Sequence, residues 1–165
     1  AQCLVGSEMC IRDRDYIQEL SRVLRYTLQS NESQSVSLRE EMEFASAYIF
    51  LLKMRFENNL QFDIQIAKSF EDYRLPPMAV QVLIENAVKH NEISDRKPLT
   101  IHIVTNNEGY LSVSNDIQPK RTAASGTGIG LVNLAKRYRL LFKQDIQITE
   151  DKEFSVCIPL IDEVQ

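Results

Sequence analysis

Tryptophan is absent from this 165-residue chain, and histidine, cysteine, glycine and proline are scarce at two, three, five and five residues. Cys3, Cys10 and Cys157 show no paired spacing, and two histidines add little to them, so neither a zinc cluster nor a disulfide framework can be assembled. A reducing cytosol suits such a composition. Long hydrophobic runs are missing too: the longest, residues 47–52, spans six residues against the roughly 20 of a membrane-crossing helix. Basic excess is also lacking, because 19 Lys and Arg face 23 Asp and Glu for a net charge of -4. Without a basic field there is nothing to neutralise nucleic-acid phosphates, and DNA and RNA are excluded as partners. What is present is an ordinary globular composition, 44% apolar and 25% charged, in a length that accommodates one domain with a helical arm.

The pattern divides the chain into residues 1–14, 15–58 and 59–165. The first stretch has no periodicity that continues past Arg14, and residues 3–14, CLVGSEMCIRDR, resemble a translated sequencing adapter. This segment is therefore expected to be foreign to the natural protein, which resequencing of the locus tests. From Asp15 a helical period sets Ile17, Leu20, Val23, Leu24 and Leu28 on one face. Ser37 and Glu40 then form a capping box ahead of a second helix. Its stripe of Leu38, Met42, Ala45, Ile49, Leu52 and Phe56 steps by fours and threes and calls for a partner helix. The two helices are expected to pack as an antiparallel hairpin.

After residue 58 the period becomes two, with Phe62, Ile64 and Ile66 reading as a half-buried strand. Pro76 and Pro77 open a helix over 78–90, strands at 100–104 and 110–114 flank a turn at 106–109, and a polar loop at 116–127 leads to a helix over 129–142. Strands near 145–149 and 154–159 close the chain. This order lacks strict strand–helix alternation. It predicts an α+β fold, a two-layer α/β sandwich with helices gathered on one face of a mixed sheet, preceded by the helical hairpin.

Three constellations carry chemistry. Gly126, Gly128 and Gly130 crowd into GTGIG directly before a helix, where close backbone approach and unpaired N–H groups suit a phosphate. The spacing matches neither a Walker A loop, which needs a following Lys, nor a Rossmann fingerprint; a ligand-free loop-to-helix connection is the alternative. In the second, Asn86, Lys89 and His90 share one helix face at i, i+3 and i+4. An amide oxygen is a neutral hard ligand for Mg²⁺, and the Lys is a point charge for phosphate, although Lys and His also simply suit a helix C-terminus. In the third, a strand delivers Asn115 to the polar loop, where its amide can pair with a purine edge or form a turn.

Taken in order, LPPMAVQVLIENAVKH, Asn115 and GTGIGL resemble the N-box, adenine-reading position and second glycine box of the LytS-type sensor histidine kinases. The nucleotide domain of those kinases is shared with gyrase, Hsp90 and MutL. LSRVLRYTLQ and SLREEMEFASAYIFLLKMRFENNLQF are similar to the region preceding that domain. The resemblance implies the Bergerat-type ATP-binding fold. It implies that Asn86 coordinates Mg²⁺, Lys89 contacts phosphate, His90 lines the ribose and phosphate side, and Gly126, Thr127, Gly128, Ile129, Gly130 and Leu131 wrap the triphosphate. Residues 116–127, with Lys120 and Arg121, would form a mobile ATP lid. It further implies a homodimer that labels its own His and passes the phosphoryl group to an Asp of a response regulator, at the cytoplasmic face of a bacterial membrane reached through segments missing from this chain.

Three departures from that pattern qualify the implication. Asn115 stands where most relatives carry Asp, so a hydrogen bond to adenine is kept without charge assistance. The acceptor motif, like NPHFLFN, is absent, and neither His90 nor His102 replaces it. Val82 occupies the position of the water-polarising Glu of the hydrolases, and Glu85 lies about 100° around the helix from Asn86. The expected function is ATP-dependent phosphoryl transfer by the catalytic part of a histidine kinase that does not label itself. The alternatives are a hydrolase of the gyrase and Hsp90 kind and a nucleotide-free dimerisation module.

Overall fold

The computed structural model describes the backbone of residues 2–29, 33–120 and 129–162, with side chains from residue 9 onward. Helix α1 (Gln2–Gln29) is followed by β1 (Val36–Ser37), α2 (Leu38–Phe56) and β2 (Leu60–Gln65). Then come β3 (Arg74–Leu75), α3 (Ala79–His90), β4 (Leu99–Thr105), β5 (Tyr110–Asp116), α4 (Ile129–Phe142), β6 (Gln147–Glu150) and β7 (Glu153–Pro159). The larger sheet has the order β2-β4-β5-β7-β6. Only the β2–β4 pair is parallel; the other three are antiparallel, so the mixed sheet of an α+β fold is observed. β1 and β3 form a short antiparallel ladder of their own.

Local chemistry accounts for these boundaries. The Ser37 hydroxyl accepts from the Glu40 amide at 3.2 Å while the Glu40 carboxylate accepts from the Ser37 amide at 2.9 Å, which makes the expected capping box real. At the β4–β5 turn the Asn106 side chain accepts from the amides of Glu108 and Tyr110, and Gly109 takes φ 79°, a conformation open to glycine.

Alternation along the strands gives the sheet two unlike faces. Leu99, Ile101, Ile103, Leu111, Val113, Val156 and Ile158 point to one side and are buried. They pack with Ile49 of α2, Leu83 and Ile84 of α3, and Leu134 and Tyr138 of α4 in a single core. Each fully buried Leu or Ile there contributes about 1.5–3 kcal/mol of hydrophobic stabilisation. The opposite face carries polar groups. There His102 Nδ1 lies 3.2 Å from Asp63 Oδ2, and the hydroxyls of Ser112 and Ser155 are 3.2 Å apart.

Two sequence expectations are corrected. Helix α1 begins at Gln2 rather than near Asp15, so residues 2–14 are one continuous helix with residues 15–29. Residues 9–17 are exposed on every side, and a helix segment that packs on nothing carries no apolar stripe to read. The stripe of α2 also has another destination. Leu38, Ala45, Ile49 and Leu52 enter the core beneath the sheet, while Phe44, on a different face, stacks on Tyr26 of α1 with ring centroids 4.1 Å apart. α2 therefore belongs to the hairpin and to the sheet domain at once.

Candidate functional site

Helix α3 starts where two prolines leave no amides to satisfy. Its N-cap residue, Met78, adopts the left-handed conformation with φ 64° and supplies no side-chain cap. The cap comes from α2 instead. Glu41, fully buried, accepts from the Met78 amide at 3.0 Å and the Val80 amide at 2.9 Å, and the Tyr26 hydroxyl of α1 donates to it at 2.8 Å. An anion placed at the positive end of a helix is the favourable arrangement. Burial pushes the Glu41 carboxyl above the usual carboxylate range, against the opposing pull of the Tyr26 hydroxyl and the Val80 and Met78 amides. The same burial, followed by the charge of Glu41, raises the Tyr26 phenol.

Two turns further along, α3 presents its polar residues. Asn86, Lys89 and His90 line a cleft of about 170 Å³ with Val82 and Glu85, and Ile129, Gly130 and Leu131 of α4 form its other wall. Asn86 and Lys89 are half-buried and His90 is exposed. The volume is below the roughly 300–1,000 Å³ of a complete small-molecule site. Gly126, Thr127 and Gly128, with most of the 116–127 loop, lie outside the described residues.

Close approach of α4 to α3 explains one glycine. A Cβ at Gly130 would stand 3.4 Å from Val82 Cγ1, so the first turn of α4 sits against the Val82 side chain of α3. The floor of the cleft at that point is hydrocarbon. Further along α4, Arg137 donates to the Pro77 carbonyl at 3.0 Å, and the buried Tyr138 hydroxyl has no hydrogen-bond partner among the described residues. Burial and then Glu41 raise the Tyr138 phenol.

Asn115 is carried by the sheet rather than by α3 or α4. It is buried at the end of β5, opposite Ile101 and Phe154, on the sheet face that carries the core, and its amide nitrogen donates to the Asp116 carbonyl at 2.7 Å. It is not among the residues lining the cleft. The polar loop is nonetheless tied to α3 at its root. Asn91, buried beyond the helix end, accepts from the Gln118 amide at 2.7 Å and donates to the Ala87 carbonyl at 2.9 Å. Lys120 donates through Nζ to the Val88 carbonyl at 3.0 Å, which places its charge at the negative end of α3.

Sequence reasoning passed over Asn91, Glu41 and Arg137. Asn91 stands where a helix period stops, a C-cap signal that was there to be used. Glu41 sits beside the capping-box Glu40 on a charged stretch and reads as surface; only the cross-chain meeting with residues 78–80 reveals it. Among the described residues no group of three or more His, Cys, Asp or Glu is placed to hold a metal ion. The hard oxygen donors lining the cleft are the Asn86 amide oxygen and the Glu85 carboxylate. A divalent cation there would take its remaining ligands from phosphate and water, as Mg²⁺ does.

Comparison with known proteins bears on the whole chain. A family model described as histidine kinase matches residues 5–60, which comprise most of α1, all of α2 and the start of β2. The sensor protein LytS of Streptococcus mutans is 34% identical over 151 residues, covering 82% of this chain and 26% of that protein. LytS of Streptococcus agalactiae is 32% identical over 141 residues. The chain spans about a quarter of the length of these curated relatives. Among solved structures, the catalytic domain of histidine kinase ThkA superposes with a TM-score of 0.53 at 18% identity, covering 78% of this chain and 99% of that one. The histidine kinase domain of the blue-light activated kinase of Erythrobacter litoralis superposes at 0.52 and 14%, covering 94% and 83%. These two likenesses are of fold.

Proposed function

The chain belongs to the histidine kinases and is similar to the LytS sensors, and we propose that it is the ATP-binding catalytic portion of such a kinase. It would transfer the γ-phosphoryl group to a histidine and onward to an aspartate of a response regulator. The observation that carries the reading is the cleft in which Asn86 and Lys89 of α3 face Ile129, Gly130 and Leu131 at the start of α4. In this reading Asn86 supplies one oxygen to Mg²⁺, Lys89 meets phosphate as a point charge, His90 lies toward the ribose, and residues 126–131 wrap the triphosphate against the α4 N-terminus. Bound Mg²⁺ would neutralise charge on the phosphates. Asn115 would read adenine. Residues 116–127 would be the lid, rooted through Asn91 and Lys120.

Phosphoryl transfer between a held donor and an incoming nucleophile is catalysed mainly by positioning and charge neutralisation, and this cleft offers both. Val82 against Gly130 leaves no carboxylate to activate water at that point, which favours a kinase over a hydrolase. The acceptor would be neither histidine of this chain. His90 sits in the cleft, and His102 lies on the opposite face of the sheet, beside Asp63. Exposed Ile17, Leu24 and Leu28 on α1 support a homodimer formed through the hairpin. The full protein would act at the cytoplasmic face of a membrane; among the described residues no helix is long and apolar enough to cross one.

The test mixes this chain with labelled Mg-ATP and a separately expressed acceptor-helix segment. Phosphohistidine should form and be lost with Asn86→Ala. Thermal melting in a 100-fold excess of ATP over Kd should show about 2.7 kcal/mol of added stability for the wild type and almost none for the variant. Absence of both effects in the wild type refutes the assignment. Brisk steady-state phosphate release without an acceptor would point to a hydrolase.

A further inference from the structure

A buried carboxylate at the junction of three helices has no part in phosphoryl transfer, and its partners give it another role. Glu41 of α2 holds the amides of Met78 and Val80, the first donors of α3, and is itself held by the Tyr26 hydroxyl of α1. Met78 is a non-glycine residue at φ 64°, a conformation that persists only where its surroundings fix it. The preceding residues, Pro76 and Pro77, donate nothing from the backbone. Glu41 is therefore what fixes this corner from the N-terminal side, and Arg137 of α4 fixes it from the other by its bond to the Pro77 carbonyl.

The corner governs both walls of the cleft. Asn86 and Lys89 lie two to three turns along α3 from the capped amides, on a single rigid helix of twelve residues. Ile129, Gly130 and Leu131 lie about two turns before Arg137 on α4. A displacement of residues 77–80 thus moves α3 against α4 where Gly130 faces Val82, so close that a Cβ on Gly130 would stand 3.4 Å from Val82 Cγ1.

We propose that Glu41, clamped by Tyr26, is a positioning residue for the nucleotide site: it sets α3 against α4, and through it the stance of α1 on α2 is felt by bound nucleotide. Tyr26 and Phe44 stack at the same place, so a turn of α1 about its axis breaks the stack and the hydroxyl bond together. Loss of the hydroxyl bond leaves the Glu41 carboxylate underconstrained and loosens the Met78 corner. The inference rests on the ATP-binding reading of the cleft and adds to it the means by which the helical arm reaches that cleft.

The experiment is calorimetric titration of the 165-residue chain with a non-hydrolysable ATP analogue and Mg²⁺, well below the melting temperature, in Y26F, E41Q and the double variant. Y26F removes one oxygen and keeps the ring on Phe44. It should weaken binding about fivefold, the net effect of one typical hydrogen bond carried to the site. E41Q should weaken it more, and Y26F should add nothing in the E41Q background, since partners acting as one unit are not additive. Amide exchange at Met78 and Val80 should quicken in Y26F. Variants that melt earlier but bind the analogue within about twofold of wild type would mean that the carboxylate only stabilises the fold, and would overturn the inference. Wild-type chain that binds no analogue overturns the nucleotide reading and this inference with it, which separates the two failures.

Discussion

At the scale of the residue, Gly130 and Val82 decide what the cleft can do. The space for a Cβ at Gly130 ends 3.4 Å from a methyl group, the near edge of ordinary contact. Alanine should therefore be accepted with a small loss, whereas the branched side chain of valine has to push α4 off α3. G130A is expected to weaken nucleotide binding less than about threefold and G130V more than about tenfold, with V82A restoring part of the loss in the G130V background, as neighbours in contact should. Equilibrium titration of the four chains checks the series; equal affinities would mean that the first turn of α4 does not face the ligand. Val82 was matched through the family resemblance to the position of a hydrolase's glutamate, one turn before Asn86 on the same face of α3. Its role as a packing partner was not legible, because that depends on where α4 lands.

At the scale of the element, the start of α2 is the clearest case of sequence writing structure. The spacing of Ser37 and Glu40 is local, the two reciprocal hydrogen bonds are present, and β1 and α2 meet at that serine. The Glu40 carboxyl is held below the usual carboxylate range, first by the Ser37 amide and then by the Ser37 hydroxyl. A carboxyl with a depressed value in the folded state gives stability that is present above its unfolded value and lost as acid carries the pH down through the folded one. The wild type should accordingly lose more stability than E40Q between neutral pH and pH values below the ordinary glutamate value of 4.5. At neutral pH the cap as a whole is worth about 1 kcal/mol by the measure of S37A. Urea unfolding at several pH values reads both; parallel pH profiles for wild type and E40Q would show that the box contributes no charge-dependent stability. The start of α3 is the opposite case. Its prolines predict a helix start, but its cap comes from Glu41, 37 residues earlier in the chain than Met78, and no local pattern signals that.

At the scale of the whole molecule, the mixed sheet and the helices on one face could be read from the order of elements, because periods of two and 3.6 switch at clear turns. Which strands would be neighbours could not. β2 joins β4 in parallel across some 39 residues, and β5 joins β7 rather than β6, pairings fixed by closure of the core over Ile101, Val113 and Val156. The destination of the α2 stripe was hidden for a like reason: a heptad-like spacing fits a helix partner and a sheet-borne core equally well. Of the candidate site, the α3 and α4 residues read from local spacing line one cleft, whereas Asn115 is not among its lining residues and its amide donates to the Asp116 carbonyl. The strand order has one more effect, on how the polypeptide is made. β7 comes after every other strand in the chain, yet it is seated inside the sheet, between β5 and β6. During synthesis, then, β6 has nothing to pair with until residues 153–159 have left the ribosome, while α1 and α2 have long been free to meet. The arm is assembled first and waits for its domain, an order of events that pulse-labelled proteolysis of stalled nascent chains would make visible.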